Sequence, residues 1–228
     1  MKNTIRYFLV TLTVFALSNI SAQIKFVAAD TFPISKGARM VTDNLNNVYV
    51  ISINNDIDKY NKDGKKIATT NFKVLGNIAS LDATNPFEIY VFYRDQNKVV
   101  FLDNMLSFRG EVDLEQAGFS QVAALSRSYD NGIWLFDMAD LKLKKLTKDL
   151  QSVLESNNLL TYTDKSLSPN FILDNNQSIF VNNPLSGIMQ FDVFGNYNKT
   201  LPFDSLSSIQ IVNDQFVFIS GNALHAYD

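Results

Sequence analysis

The chain has 228 residues, of which 46% are hydrophobic and 12% aromatic, and its formal net charge is −3. This composition is typical of a globular protein and excludes a disordered chain. The low charge, without long blocks of like charge, argues against nucleic acid as a partner, because phosphates require clustered positive charge. There is no cysteine and only one histidine, His225. A Cys/His zinc site and a histidine-based catalytic triad are therefore excluded, and we predict no metal and no cofactor.

Residues 1–22 are predicted to be a secretory signal peptide. Lys2 and Arg6 form a charged start, Tyr7–Leu17 is an apolar stretch too short to span a bilayer comfortably, and small residues favour cleavage after Ala22. The alternative is a retained membrane anchor. We expect a periplasmic, cell-surface or secreted protein without a transmembrane segment after cleavage. The chain also lacks the cysteine through which a bacterial lipoprotein is anchored.

The rest of the chain contains an internal repeat. An aliphatic residue followed by an aromatic one recurs five times, each time after a turn rich in Asp and Asn, with 38–46 residues between successive aromatics. Asp and Asn favour tight turns because their side chains bond the local backbone. The five pairs are Val48-Tyr49, Ile89-Tyr90, Ile133-Trp134, Ile179-Phe180 and Val217-Phe218.

A second mark repeats in step with the first. It consists of an apolar residue followed by a small polar one, and successive copies are 36–45 residues apart. Two marks that repeat together at forty to fifty residues, with several short strands per unit, are typical of a β-propeller. The copies are Tyr60-Asn61, Leu102-Asp103, Leu146-Thr147, Phe191-Asp192 and Tyr227-Asp228.

Each unit is predicted to form a four-stranded antiparallel blade. The strand that contains the aliphatic-aromatic pair is apolar almost throughout, which indicates a strand covered on both faces by neighbouring blades. Leu146, Leu150, Val153 and Leu154 have helical spacing, but they fit an outer strand equally well. In the single domain 23–228, the predicted blades cover residues 37–75, 77–116, 121–158, 168–204, and 207–228 together with 23–33.

The last unit has only three predicted strands, ending at Tyr227. Residues 23–33, QIKFVAADTFP, resemble the outer strands of the other units. We expect this segment to pair beside Leu224–Tyr227 and to close the last blade, because closure protects an open sheet edge. The predicted fold is therefore an all-β, five-bladed β-propeller whose last blade is closed by the N-terminal strand.

The layout of Asp/Asn turns, aliphatic-aromatic strands and Tyr-Asp or Phe-Asp marks resembles the β-propeller superfamily. It is similar to the NHL-type and quinoprotein-like repeats of bacterial envelope proteins. The likeness covers nearly all of residues 23–228 and concerns the fold. The sequence has neither a WD dipeptide at the expected place nor the double glycine of kelch repeats.

An acidic residue precedes the second strand of every unit, at Asp43, Asp82, Asp130, Asp174 and Asp214. A carboxylate that is present in every blade is explained by the turn in which it lies, whereas a catalytic pair should break the repeat. The acids that break it are Glu88, Asp95, Asp137 and Asp140. A carboxylate pair on a five-bladed propeller would fit a glycoside hydrolase.

Loops that share one face of the ring are the predicted binding surface. They join the second strand to the third within a blade, and the fourth strand to the first of the next blade. The long connection Glu155–Ser168 belongs to this set. The candidate residues of the binding face are Arg39, Tyr93, Arg94, Asp95, Arg127 and Asp140.

From these features we expect a non-enzymatic module that binds or scaffolds proteins of the bacterial cell envelope. The alternative is a carbohydrate-active propeller, either a hydrolase or a lectin, with a glycan as its ligand. Two carboxylates at the ring centre would favour this alternative. Scattered polar loops would favour the scaffold.

Overall fold

The structure is a computed structural model that describes residues 34–175, 177–212, 215–220 and 223–227. These residues form five antiparallel sheets arranged in a ring as a five-bladed β-propeller. Within each blade the strands are neighbours in chain order. Blade 1 contains β1 (Arg39–Thr42), β2 (Val48–Ile51), β3 (Asp56–Tyr60) and β4 (Lys66–Asn71). Blade 2 contains β5 (Ser80–Asp82), β6 (Ile89–Tyr93), β7 (Lys98–Leu102) and β8 (Phe108–Asp113).

The other three blades repeat this order. Blade 3 contains β9 (Val122–Arg127), β10 (Ile133–Asp137), β11 (Lys142–Leu146) and β12 (Ser152–Glu155). Blade 4 contains β13 (Phe171–Asn175), β14 (Ser178–Asn183), β15 (Gly187–Asp192) and β16 (Tyr197–Leu201). Blade 5 contains β17 (Gln210–Val212), β18 (Gln215–Ser220) and β19 (Ala223–Tyr227). Three short 3₁₀ turns lie in the connections, at Lys73–Leu75, Arg94–Gln96 and Leu159–Thr161.

The core consists of four apolar clusters, each between two neighbouring blades. Strand β6 shows why its sequence is apolar throughout. Ile89, Val91 and Tyr93 face blade 1, whereas Tyr90 and Phe92 face blade 3. Successive side chains of a strand point to opposite faces, so a strand between two blades buries both sets. The repeated aromatic residue faces the following blade in blades 1–4.

The second sequence mark caps the turn between the third and fourth strands. The side-chain oxygen of Asp103 accepts hydrogen bonds from the backbone N–H groups of Met105 at 2.8 Å and Ser107 at 2.9 Å. Asp192 caps its turn in the same way, and so does Asn61. These bonds satisfy backbone donors that the hairpin leaves free. The mark therefore repeats because blades 1–4 all make a hairpin between their third and fourth strands.

The acids at the turn between the first and second strands also have structural partners. The carboxylate of Asp43 accepts the backbone N–H groups of Leu45 and Asn47, each at 2.9 Å, and the Tyr49 hydroxyl at 2.9 Å. Burial raises the pKa of Asp43, but the donated hydrogen bonds outweigh it and hold this pKa below its usual value. Asp214 lies outside the described residues.

Asp174 joins blades 4 and 3. Its Oδ2 accepts hydrogen bonds from the Trp134 indole N–H at 3.1 Å, the Tyr129 backbone N–H at 3.1 Å and the Ser128 hydroxyl at 3.2 Å. Trp134 is fully buried, so its indole N–H needs such a partner. At the preceding interface Asp82 of blade 2 accepts the backbone N–H of Arg127 at 2.8 Å. The repeated acid thus caps the turn in blade 1, whereas in blades 2 and 4 it bonds a neighbouring blade.

The predicted propeller fold is confirmed. The stretch with helical spacing forms the end of β11, a turn and β12. In blade 5 the described residues supply three strands, and all five residues of β19 are exposed. The predicted closing strand 23–33 and the predicted signal peptide 1–22 lie outside the described residues. In the described part of the chain, no helix has the length and apolar character needed to span a bilayer.

Candidate functional site

A cavity of about 480 Å³ opens on the face that carries the connections between second and third strands and between successive blades. Blades 2, 3 and 4 all contribute to its walls. It is lined by Arg94, Asp95, Gln96, Asn97, Glu115, Ser120, Gln121, Val122, Ala123, Met138, Ser168 and Pro169.

Asn97 holds two walls of the cavity together. It lies at the end of the Arg94–Gln96 turn with a left-handed backbone, φ 50° and ψ 41°, which asparagine tolerates better than most residues. Its side-chain amide donates a hydrogen bond to the Phe119 carbonyl, and its side-chain oxygen accepts the Val122 N–H at 3.2 Å. Its own carbonyl accepts the Leu114 N–H at 3.0 Å. The loop after β6 and the connection before β9 are therefore fixed relative to each other.

The remaining walls are held by backbone contacts and by a second asparagine. The Met138 N–H donates to the Gln121 carbonyl at 2.9 Å, which ties the loop after β10 to the connection before β9. Asn183 is fully buried; its side chain accepts the Ser168 N–H and donates to the Ser166 carbonyl, each at 3.0 Å. The long connection 156–170 is therefore anchored at the cavity.

Three charged side chains line the cavity without being neutralised by the protein. Arg94, Asp95 and Glu115 are exposed to solvent, and with the residues that the structure describes their side chains form no hydrogen bond or ion pair. A guanidinium has five N–H donors and no acceptor, and an ionised carboxylate only accepts. These groups can therefore bind an anion and a cation, and the carboxylates can also transfer protons.

The apolar part of the lining is small. Val122 and Ala123 are only 2% and 7% exposed, and Met138 and Pro169 are its other apolar residues. The lining is therefore mainly polar, which favours a polar ligand. In the described part of the chain, no cluster of three or more His, Cys, Asp or Glu side chains could hold a metal ion.

Two of the six predicted binding residues, Arg94 and Asp95, line this cavity. Their neighbour Tyr93 does not, because its ring is fully buried between blades 1 and 2 and offers no surface to a partner. Burial raises the pKa of the Tyr93 hydroxyl to about 12.

Two more candidates lie on the same face but are occupied by the protein. Asp140 and Asp137 both bind the Lys144 ammonium, at 2.7 Å and 2.8 Å. Burial alone would lower the pKa of Lys144, but the two carboxylates raise it above its usual value. The Arg39 guanidinium donates to the carbonyls of Ile78 and Ala79, the latter at 2.8 Å, and so joins blade 1 to blade 2.

Arg127 lies on the opposite face of the propeller from the predicted binding face. Strand β9 begins at Val122, and its six residues carry Arg127 to the far end, next to the turn between the first and second strands. There the guanidinium binds the Glu88 carboxylate at 3.0 Å and lies over the Tyr90 ring, 5.5 Å from its centroid. The side chain is 8% exposed and joins blades 2 and 3.

Sequence reasoning missed Glu115 and the polar residues Gln96, Ser120 and Gln121. Glu115 belongs to the connection before β9, and this connection shares a face with the loop that contains Asp95. The repeat register placed both segments on one face, so Glu115 could have been paired with Asp95 from the sequence.

These features define a β-propeller with a polar cavity on one face. No protein-family model matches the chain, and no curated protein matches it. Among solved structures it is similar to a streptogramin B lyase, with a TM-score of 0.54, 18% identity, and coverage of 84% of this chain and 68% of that one. For a catalytically inactive virginiamycin B lyase from Staphylococcus aureus with quinupristin, the TM-score is 0.56, the identity 17%, and the coverage 79% and 61%.

The chain is also similar to the glutaminyl cyclase of Myxococcus xanthus, with a TM-score of 0.56, 12% identity, and coverage of 83% of this chain and 90% of that one. At these identities the likeness shows the propeller fold. The chain spans less than two thirds of the S. aureus lyase.

The expectation of a non-enzymatic envelope scaffold is wrong. The solved propellers that the chain resembles include lyases and a cyclase, and none of the comparisons supports a scaffold. The expectation rested on elimination, because metal sites, histidine-based catalysis and a carboxylate pair each lacked a clear sequence signal, which left the loops of one face as a protein-binding surface. The predicted partners, an envelope protein or a glycan, stay predictions.

Proposed function

We propose that this protein is an enzyme that performs general acid–base chemistry on a small polar substrate bound in the cavity. Asp95 and Glu115 are the proton-transferring groups, and the substrate lies between the Arg94–Gln96 turn and the connection before β9. The observation that carries the proposal is that two carboxylates and one guanidinium line a single cavity without a described partner.

Acid–base catalysis needs one group that removes a proton and another that delivers one. A pair of carboxylates can take both roles when one is ionised and the other protonated. The segments that carry Asp95 and Glu115 are joined by the two side-chain hydrogen bonds of Asn97, so their backbones are held in place before the substrate arrives.

The reactions named for the similar structures have the same requirement. A lyase breaks a bond by elimination, and a cyclase closes a ring with loss of a leaving group. In both classes a proton leaves one atom and a leaving group takes one up. In the lining of the cavity, Asp95 and Glu115 are the groups that can make these proton transfers.

The proposal is tested with a panel of amino acids, dipeptides, hydroxy acids and sugars, to which quinupristin and an amino-terminal glutaminyl peptide are added. Mass spectrometry follows the products, since elimination, cyclisation with loss of ammonia, and hydrolysis change the mass differently. We expect wild-type protein to convert at least one compound. Asp95→Asn and Glu115→Gln should each lower the turnover of that compound by about 100-fold or more.

The matched control is Asp63→Asn, because Asp63 is an exposed acid in the turn between β3 and β4, away from the cavity. It should keep full turnover, and all three variants should keep the wild-type melting temperature. Conversion that survives both cavity substitutions would place the chemistry elsewhere. Conversion of no compound in the panel would count against an enzyme of this class.

We also propose that the enzyme is exported, on the basis of the charged, apolar and small-residue segments of residues 1–22. The full chain with a C-terminal tag, expressed in a Gram-negative host, should appear in the periplasm or medium with Gln23 as its first residue. Amino-terminal sequencing and cell fractionation measure this directly. A cytoplasmic chain that still begins at Met1 would show that the segment is not a signal peptide.

A further inference from the structure

We infer that the substrate is a zwitterion with a carboxylate and an ammonium group, such as an amino acid or a short peptide, and that Arg94 binds its carboxylate. This rests on the proposed function, because it concerns the substrate of the same cavity. It goes further by naming the chemical class of that substrate and the residue that selects it.

Arg94 lies on a short turn between two buried anchors. Tyr93 before it is fully buried, and Asn97 after it is 8% exposed and bonded to the neighbouring loop. The turn itself is closed by the Asn97 N–H, which donates to the Arg94 carbonyl at 3.0 Å. The start of the Arg94 side chain is therefore fixed at the cavity, while its guanidinium has no described partner. A planar guanidinium matches the two oxygens of a carboxylate.

The cationic side chains that join or pack between blades have partners within the protein. Arg127 binds Glu88 at 3.0 Å, Lys144 binds two carboxylates and Lys145 binds Asp130 at 2.7 Å, whereas Lys59 and Arg39 bind backbone carbonyls. Arg94 differs from them because its guanidinium has no such partner among the described residues. It is therefore available to a ligand.

The sum of these charges selects between ligand classes. With both carboxylates ionised the lining has a formal charge of −1, and with one of them protonated, as the proposed chemistry requires, the charge is 0. In either state an ionised carboxylate lies in the same lining as the guanidinium. A purely anionic substrate would bind Arg94 but meet repulsion from Asp95 and Glu115. A zwitterion satisfies both sets, with its carboxylate on Arg94 and its ammonium near the acids. The acids then also lie next to the amino end, where protons are transferred.

The size and the polar lining of the cavity agree with this class. About 480 Å³ lies within the range of small-molecule sites and accommodates a dipeptide. Met138 and Pro169 add apolar groups to the lining. Gln96 and Gln121 add amide groups that can bind a peptide bond.

The test is equilibrium binding of a dipeptide panel with free termini, measured by ligand-observed NMR and calorimetry on the whole chain. Each dipeptide is compared with its C-terminal amide and its N-acetyl form. We expect at least one free dipeptide to bind, and removal of either charge to weaken that binding by about 10- to 100-fold. Arg94→Gln should cause the same loss for the free dipeptide and almost none for its amide, and Arg94→Lys should restore part of the affinity.

Other outcomes overturn the inference. Equal binding of a dipeptide and its amide would show that no carboxylate is recognised. Tight binding of inorganic phosphate or of an uncharged sugar, in preference to every dipeptide, would assign the cavity to another class of ligand. Binding that is unchanged by Arg94→Gln would remove Arg94 from the site. Arg109→Gln is the matched control, since Arg109 is an exposed arginine of β8 outside the cavity lining.

The inference and the proposed function fail separately. Arg94-dependent dipeptide binding without turnover of any compound would support the substrate class and count against the enzyme. Turnover of an uncharged compound that depends on Asp95 and Glu115 but not on Arg94 would support the enzyme and count against the zwitterionic substrate class.

Discussion

Asn97 is the residue on which the geometry of the cavity depends, and Asn97→Ala tests this directly. The substitution removes two side-chain hydrogen bonds and leaves the Phe119 carbonyl and the Val122 N–H, both next to buried residues, without these partners. Each lost bond of this kind costs about 1–2 kcal/mol. Alanine at φ 50° adds about 1 kcal/mol of backbone strain. We expect a total loss of about 3–5 kcal/mol in the free energy of unfolding.

The measurement is urea unfolding followed by fluorescence of the single tryptophan, Trp134, which is fully buried and reports the interior. Asn97→Gly is the matched variant, because glycine removes the same two bonds but adopts a left-handed backbone without strain. It should be less destabilised than Asn97→Ala. An alanine variant within about 0.5 kcal/mol of wild type, the range of ordinary surface substitutions, would refute the role assigned to Asn97. A glycine variant less stable than the alanine variant would refute the strain argument.

Three further predictions concern the contacts between blades, the pH dependence and the ends of the chain. Asp174→Ala removes the partner of the buried Trp134 indole and should lower the free energy of unfolding by about 2–4 kcal/mol in the same urea assay, and an unchanged midpoint would contradict the proposed blade contact. The folded pKa of Asp43 is below its usual value, so its contribution to stability is present at neutral pH and is lost as the pH falls below about 4. Asp43→Asn should therefore be less stable than wild type at pH 7 and approach it in acid, and a difference that does not vary with pH would rule this out. Deletion of residues 23–33 should lower the melting temperature or cause aggregation, as expected of a strand that closes the last blade, and an unchanged melting temperature would exclude that prediction.

The sequence predicted the propeller because its signals are local. The apolar strand around Tyr90 and the capped turn at Asp103 are each specified by neighbouring residues, and comparable capped turns recur at Asn61, Thr147 and Asp192. The side-chain period of a strand also shows that two faces are covered. The same local reasoning explained the repeated acids as turn residues, and the contacts of Asp43 bear this out.

The candidate site could be predicted only in part. Arg94 and Asp95 were predicted because they lie in a polar loop that breaks the repeat, whereas nothing in the sequence distinguishes Glu115 from the other polar residues of the connection before β9. Arg127 was assigned to the wrong face because the six-residue length of β9 could not be inferred from its composition.

The sequence by itself therefore determined the strands, their turns and the number of blades, since hydrogen bonds between residues close in the chain set these features. Only the tertiary structure decided which charges pair. Arg127 forms an ion pair with Glu88 because blades 2 and 3 pack together at that point. Arg94 forms no ion pair with a described carboxylate, although Asp95 is its neighbour in sequence. The cavity follows from the same cause, because residues 94–97, 115–123, 138 and 168–169 come together only when three blades are packed side by side.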